Sequence, residues 1–245
     1  MVLYIYDLKA KQLKKQSLFN NNTIEEQIPK AIKPDFESIF KYEDYLIILG
    51  SGSTAERNKW IKIQLGKGFE TIVIDQNDLY TQLKRTVLMA DEDFNIEGVV
   101  LQAPHLLLFN RGNGPNATNG IFKINHWQRS NPEISFIPID LLKIEGVTIG
   151  FTDAVQVADK IYFIAAAEEG NSTYFDGKVL GSFAGILDAK TLALIEMHQL
   201  SDVHKFEGIS LYKKVEDSLI FLLCEDSDDE NLDTQIFEWT VHLQA

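Results

Sequence analysis

FNIEGVVLQAPHLLLFNRGNG, residues 94–114, carries the pattern that decides the fold. An apolar residue precedes Glu97 and Gly98, a β-branched strand follows, then a second apolar strand, HLLLFN, then a glycine-rich turn. The same order recurs three more times. PDFESI (34–39), LKIEGV (142–147) and HKFEGI (204–209) match the opening, with glutamates at Glu37, Glu145 and Glu207. YLIILG (45–50), KIYFIA (160–165) and LIFLLC (219–224) match the second strand, each followed by a polar or glycine-rich turn. Four such units in order make an internal repeat. A β-sheet unit that cannot bury its own faces does so by stacking against copies of itself.

The segments between are also of strand length: LYIYDL (3–8), KWIKIQL (59–65), ETIVID (70–75), GIFKIN (120–125), ISFIPI (134–139), GILDA (185–189), LALIEM (192–197) and QIFEWTV (235–241). Several alternate apolar and polar residues, the period of a half-buried strand. Helical signal is confined to Asn77–Met89, where Leu79, Leu83 and Val87 recur every four residues and Asn77 or Asp78 supplies a cap. The reading is all-β: a single β-propeller of five blades, with six as the alternative and a β-sandwich as the rival. A sandwich gives no reason for a repeated Glu-Gly. Blades fall at about 36–76, 96–140, 144–200 and 206–245. Residues 1–33 supply a partial N-terminal blade whose inner strands are lacking, and a homodimer would cover that exposed edge.

Composition narrows the function classes. The chain has 245 residues, 36 acidic and 23 basic side chains and a formal net charge of -13, which disfavours a nucleic-acid partner. No apolar run approaches the length of a membrane span. With no leader pattern at its start, the expected compartment is the cytoplasm, unless a leader precedes this chain. The single cysteine, Cys224, is expected as a small buried hydrophobe in a strand.

The repeated Glu-Gly units, with the elements ILGSGS (48–53), FNRGNG (109–114) and the stretch from Ala165 to Ser182, resemble the phytase-like and esterase-like β-propellers. Within that superfamily they are most similar to a little-characterised bacterial branch. The resemblance runs from about Lys33 to Val241 and implies a propeller, without fixing a reaction.

In an antiparallel hairpin the start of the first strand and the end of the second lie together. Asp35 and Glu37 thus join Ser51 and Ser53. Glu97 joins Asn110 and Arg111, Glu145 joins Glu168 and Glu169, and Glu207 joins Glu225 and Asp226. Carboxylates converging on one channel mouth suit a divalent cation, Ca2+ first, with Glu37, Glu97, Glu145, Glu207, Glu168 and Glu225 as the ligand set. The other reading makes the glutamates acceptors for neighbouring-blade amides, with Gly98, Gly146 and Gly208 permitting close approach. Arg57, Asn110 and Arg111 are the expected ligand contacts, an arginine fork suiting phosphate or carboxylate. Two functions follow: binding of a small ligand or partner through one rim, or a cation-dependent phosphoester or ester hydrolase. No Gly-x-Ser-x-Gly elbow, zinc-histidine spacing or dinucleotide fingerprint is present.

Overall fold

The computed structural model describes residues 1–19, 29, 32–66, 69–169, 177–226 and 235–243. Strands β1 (Val2–Asp7) and β2 (Gln12–Ser17) form a separate hairpin. The first blade is β3 (Phe36–Tyr42), β4 (Tyr45–Gly50), β5 (Lys59–Gln64) and β6 (Thr71–Asp75). The second is β7 (Ile96–Gln102), β8 (His105–Asn110), β9 (Gly120–Asn125) and β10 (Glu133–Pro138). A two-residue-strand hairpin, β11 (Lys143–Ile144) with β12 (Val147–Thr148), precedes the third blade. That blade is β13 (Gly150–Val157), β14 (Lys160–Glu168), β15 (Val179–Asp188) and β16 (Leu194–Ser201). The fourth has three strands, β17 (Phe206–Val215), β18 (Ser218–Glu225) and β19 (Ile236–His242). Every pairing is antiparallel and follows chain order within the blade.

The cores lie between blades, and this explains the apolar runs. In β8, Leu106 and Leu108 face the first blade, sharing a core with its Leu49 and Trp60 and with Phe122 of their own blade. The alternate residues Leu107 and Phe109 pack with Phe151, Phe163 and Ala165 of the third. β14 does the same: Phe163 and Ala165 face back, while Tyr162 and Ile164 meet Phe221, Leu223 and Trp239 of the fourth. A strand covered on both faces reads as a continuous hydrophobic run, and each fully buried Leu or Phe contributes about 1.5–3 kcal/mol. In β5, Trp60 faces the second blade, whereas Ile61 and Ile63 receive Leu3 and Leu18 from the N-terminal hairpin.

The helix α1 spans Asn77–Val87 and lays Leu79, Tyr80 and Leu83 into the first interblade core. Its start is supported from outside: Asp75 Oδ1 accepts the Asn77 backbone N–H at 2.8 Å, while neither Asn77 nor Asp78 caps it. Tyr80 ties the helix to the blade, accepting from Trp60 Nε1 at 2.9 Å and donating to the Gly50 carbonyl at 2.6 Å.

The fold differs from expectation in three ways. Among the described residues there are four blades, not five or six, because residues 1–19 form only the two-stranded β1–β2 sheet against the first blade. LKIEGV is no inner strand: Glu145 and Gly146, at φ of 52° and 85°, are the two-residue turn between β11 and β12. The inner strand of the third blade starts at Gly150 instead. Cys224 lies on the exposed face of β18. Among the described residues no helix is long and apolar enough to cross a membrane. The acidic turn after Asp226 falls outside the described residues from 227 to 234.

Candidate functional site at one end of the inner strands

Each inner strand carries a β-bulge near its start. The register between first and second strand slips between Phe36 and Ser38, Ile96 and Gly98, Phe151 and Asp153, and Phe206 and Gly208. The residues left unpaired are Glu37, Glu97, Thr152 and Glu207. A bulge re-aims the side chain it contains, so the repeated glutamate marks a repeated bulge. In the third blade Thr152 takes the position and donates its hydroxyl to the Phe206 carbonyl at 2.7 Å.

The neighbouring strand ends meet these bulges through one recurring hydrogen bond. Ser51 N–H donates to the Asp35 carbonyl at 2.9 Å, Arg111 to Asn95 at 2.9 Å, and Asp226 to Lys205 at 3.0 Å. The result is a compact ionic cluster built from three blades. Arg111 pairs with Glu97 at 3.4 Å, with Glu207 at 4.0 Å, and more closely with Glu168. Lys205 Nζ lies 2.9 Å from Glu207 and 3.3 Å from Glu168. Asn95 Nδ2 donates to Glu97 at 2.6 Å. To one side Arg57 pairs with Asp35, whose other oxygen is 3.4 Å from Lys33. To the other, His204 Nδ1 lies 2.9 Å from Glu225.

Charge within the cluster is set by burial and by its neighbours. Burial disfavours a charged guanidinium at Arg111, but Glu97, Glu168 and Glu207 outweigh it and hold the group charged. Burial and the Glu97 charge push Glu207 up to about 8, against the pull of Lys205 and Arg111. Burial, then Glu97, Asp35 and Glu207, raise Glu37 well above the usual carboxylate range. Asp153, beside the cluster, is pushed up to about 7 by burial. It still accepts the Ile209 N–H at 2.9 Å, tying the third inner strand to the fourth.

Several expected site residues sit together: Glu37, Glu97, Glu168, Glu207 and Arg111. Three do not act as expected. Glu145 is exposed in its hairpin turn, on no inner strand. Asn110 is consumed by backbone: its Oδ1 accepts Asn95 N–H at 2.9 Å and its Nδ2 donates to the carbonyls of Thr118 at 2.7 Å and Asp93 at 3.0 Å. Arg57 serves Asp35 and Ser53. Among the described residues no three or more His, Cys, Asp or Glu side chains form a metal-holding group, because the Arg111 and Lys205 cations stand between the carboxylates. Gly98 does permit close approach, since a Cβ there would lie 3.2 Å from Asp153 Cα of the third blade. At Gly208 a Cβ would meet Cys224 of its own blade at an ordinary 3.4 Å. Lys205 and Asp153 were missed. Lys205 had a signal, occupying the place before Phe-Glu-Gly that Asp35 and Asn95 hold in their repeats.

Beside the cluster lies a pocket of about 210 Å³, lined by Arg111, Gly112, Asn113, Lys143, Thr148 and Glu168 among others. Arg111 Nε and Glu168 Oε1 are buried atoms of its lining residues without a hydrogen-bond partner, although Oε1 has the Lys205 ion pair.

Blades stacked radially around inner strands, with side chains converging at one end, define the chain as a β-propeller. It belongs to the family of unknown function (DUF6929), whose profile matches residues 1–241. Among solved structures it is similar to an exo-1,5-α-L-arabinanase from a bovine ruminal metagenomic library, at a TM-score of 0.52 and 10% identity, over 96% of this chain and 87% of that one. An arabinanase of Bacillus subtilis aligns at a TM-score of 0.38 and 10% identity, over 83% of this chain and 92% of that one. The first likeness is one of fold. No curated protein matches the chain.

Proposed function

We propose that the protein is a small-ligand-binding propeller whose ligand is a neutral, polyhydroxylated molecule seated in the pocket at Arg111 and Glu168. The observation that carries this is that two residues of that lining, Arg111 and Glu168, each hold a buried polar atom without a hydrogen bond, Nε and Oε1, the latter 3.3 Å from Lys205 Nζ in an ion pair. Buried polar groups are nearly always satisfied, by protein, water or ligand. A hydroxyl both donates and accepts, so it completes both. Three carboxyls face two cations across the cluster, and with a proton retained on Glu207 the cluster is neutral. It therefore favours neither anions nor cations. Saturation-transfer NMR of the full chain with neutral sugars and polyols, arabino-oligosaccharides included, tests the reading. Transfer to a sugar that disappears in Glu168→Gln supports it, and no transfer to any member refutes it. Ca2+ is run alongside: the reading expects no response, and a response lost in Glu97→Gln would instead support a cation at the channel mouth.

A second reading is a hydrolase acting on an ester, phosphoester or glycosidic bond. What supports it is that Glu207, pushed up to about 8 by burial and the Glu97 charge, holds a proton near neutrality within the ion-pair network of Arg111, Lys205 and Glu168. A buried carboxyl that keeps its proton at neutral pH is placed to serve as a general acid. The resemblance of the repeat to phytase-like and esterase-like propellers supports it too. Chromogenic phosphate, acetate and arabinofuranoside esters or glycosides, with and without Ca2+, decide it. Turnover abolished by Glu207→Gln favours catalysis, and none above background favours binding alone.

A further inference from the structure

A second pocket, of about 320 Å³, opens between the N-terminal hairpin and the inner strand of the first blade. Val2, Leu3 and Leu18 of the hairpin and Phe36, Ile39 and Ile48 of the blade supply its apolar lining. Ile39 and Ile48 pair on the face of the blade turned from the second, while their neighbours Phe40 and Leu49 fill the core between the two blades. The hairpin borders the pocket with a free strand edge. The Leu18 N–H donates to the Met1 carbonyl at 3.1 Å, so Met1–Leu18 is a bonded pair, and the register puts Leu3–Gln16 and Ile5–Lys14 in the same class. The N–H and C=O groups of Val2, Tyr4 and Tyr6 therefore point away from β2, and among the described residues no strand pairs with them. β1 carries none of the devices that blunt an edge: no Pro, no Lys and no register slip. The hairpin is also basic, with Lys9, Lys11, Lys14 and Lys15 against the single acid Asp7, in a chain of net charge -13.

An edge that repeats its donors and acceptors at every second residue is matched by another extended backbone. We propose that this edge binds an extended peptide of alternating apolar and acidic residues, added antiparallel to β1. Its apolar side chains share the face of Leu3 and Ile5 and fall on Ile39 and Ile48. Its acidic side chains share the face of Tyr4 and Tyr6, beside Lys15, whose Nζ lies 5.3 Å from the centre of the Tyr4 ring. The charge of the hairpin selects an acidic strand over a basic one. A second copy pairing β1 with β1 about a two-fold axis would bring both first blades to one face of the shared sheet, where they would overlap.

This edge is distinct from the pocket at Arg111 and Glu168, and the two readings stand or fall separately. Fluorescence anisotropy of a labelled, end-capped octapeptide of alternating Val and Glu, titrated with the full chain, tests it. That peptide is expected to bind about tenfold tighter than its Val-Lys counterpart or more. In an antiparallel addition the glutamate N–H groups face β1 and the valine N–H groups face away. N-methylation of the glutamates is therefore expected to abolish binding, and N-methylation of the valines to preserve it. Tyr4→Pro removes an edge donor that makes no ladder bond and is expected to abolish binding too. Ile39→Asp, at a position 46% exposed, is expected to weaken binding about tenfold without unfolding the chain. Hydrogen exchange on the wild type needs no variant: the peptide is expected to slow the Tyr4 and Tyr6 amides. Equal affinity for the two octapeptides, the same response to both methylation patterns, unchanged Tyr4 and Tyr6 exchange, or no binding at all overturns the proposal. A dimer seen by light scattering that the peptide leaves intact would assign the edge to a second copy, and overturns it equally.

Discussion

Arg111, the residue after the second strand of the second blade, and Glu168, the last residue of the second strand of the third, pair across the boundary between those blades. Glu97 and Glu207 reach the same guanidinium from the inner strands of the second and fourth blades. One side chain therefore links three blades where they converge. The ionic cluster is at once a site and a fastening.

Removing that fastening leaves buried carboxylates without a counter-charge. Arg111→Ala is expected to destabilise the protein by about 3–5 kcal/mol, the range for stripping one partner from a buried pair. Denaturant unfolding of the full chain measures it. The deficit is expected to shrink as pH falls, because protonation removes the uncompensated charge; a deficit independent of pH would contradict the role.

The raised acids give the native protein a pH signature. In the unfolded chain Asp and Glu titrate near 4. Folded Asp153 and Glu207 titrate at about 7 and about 8, so between these limits the native state holds protons that the unfolded state has lost. Stability therefore falls as pH rises from about 4 towards 8, by at most about 1.4 kcal/mol per pH unit for each group. The chain's net charge of -13 adds repulsion of the same sign, so the comparison that counts is with Glu207→Gln. Urea unfolding across this window is expected to show a shallower slope in the variant than in the wild type.

Asn110 predicts a large effect with no ligand involved. Its side chain satisfies the Asn95 N–H and the Asp93 carbonyl in the segment entering β7, and the Thr118 carbonyl in the turn that carries Arg111. Asn110→Ala is expected to cost about 2–4 kcal/mol by leaving buried backbone groups unpaired. Asn110→Asp is expected to be worse, because a carboxylate would face two carbonyl oxygens. Thermal unfolding ranks the two.

Two glycines of the apparent repeat are expected to respond differently. Gly98→Ala drives a Cβ to 3.2 Å from the Asp153 backbone of the next blade, an overpacking cost of about 1–3 kcal/mol. Gly146 has open space around it and a φ of 85°, so Gly146→Ala strains only the turn, and Gly146→Asn is expected to be better tolerated. Equal sensitivity to alanine and asparagine at both positions would contradict this assignment.

The contrast shows what was legible in the sequence. Glu37, Glu97 and Glu207 stood out because a bulge at the start of an inner strand repeats one chemistry. The third bulge uses Thr152-Asp153, which keeps the geometry and changes the residues, so no pattern of Glu-Gly finds it. LKIEGV imitates the motif because Glu-Gly also suits a two-residue hairpin turn with both φ values positive. Strands buried on both faces, such as HLLLFN, were plain, since their run has no polar break. The number of blades was not, because β1 and β2 have strand chemistry whether or not inner strands accompany them. Lys205 holds the place before Phe-Glu-Gly that Asp35 and Asn95 hold in their repeats, but its partners, like those of Arg111, are decided by packing between blades and so are not written in the motif.

The most direct test of the account is a thermal-shift comparison of wild type and Glu168→Gln against neutral sugars and polyols, each protein referred to its own unliganded Tm. The account predicts at least one compound that raises the wild-type Tm by several degrees, about 100 Kd of ligand adding roughly 2.7 kcal/mol, and leaves Glu168→Gln unmoved. No shift in the wild type across the panel, or equal shifts in both proteins, would contradict a ligand site at Arg111 and Glu168.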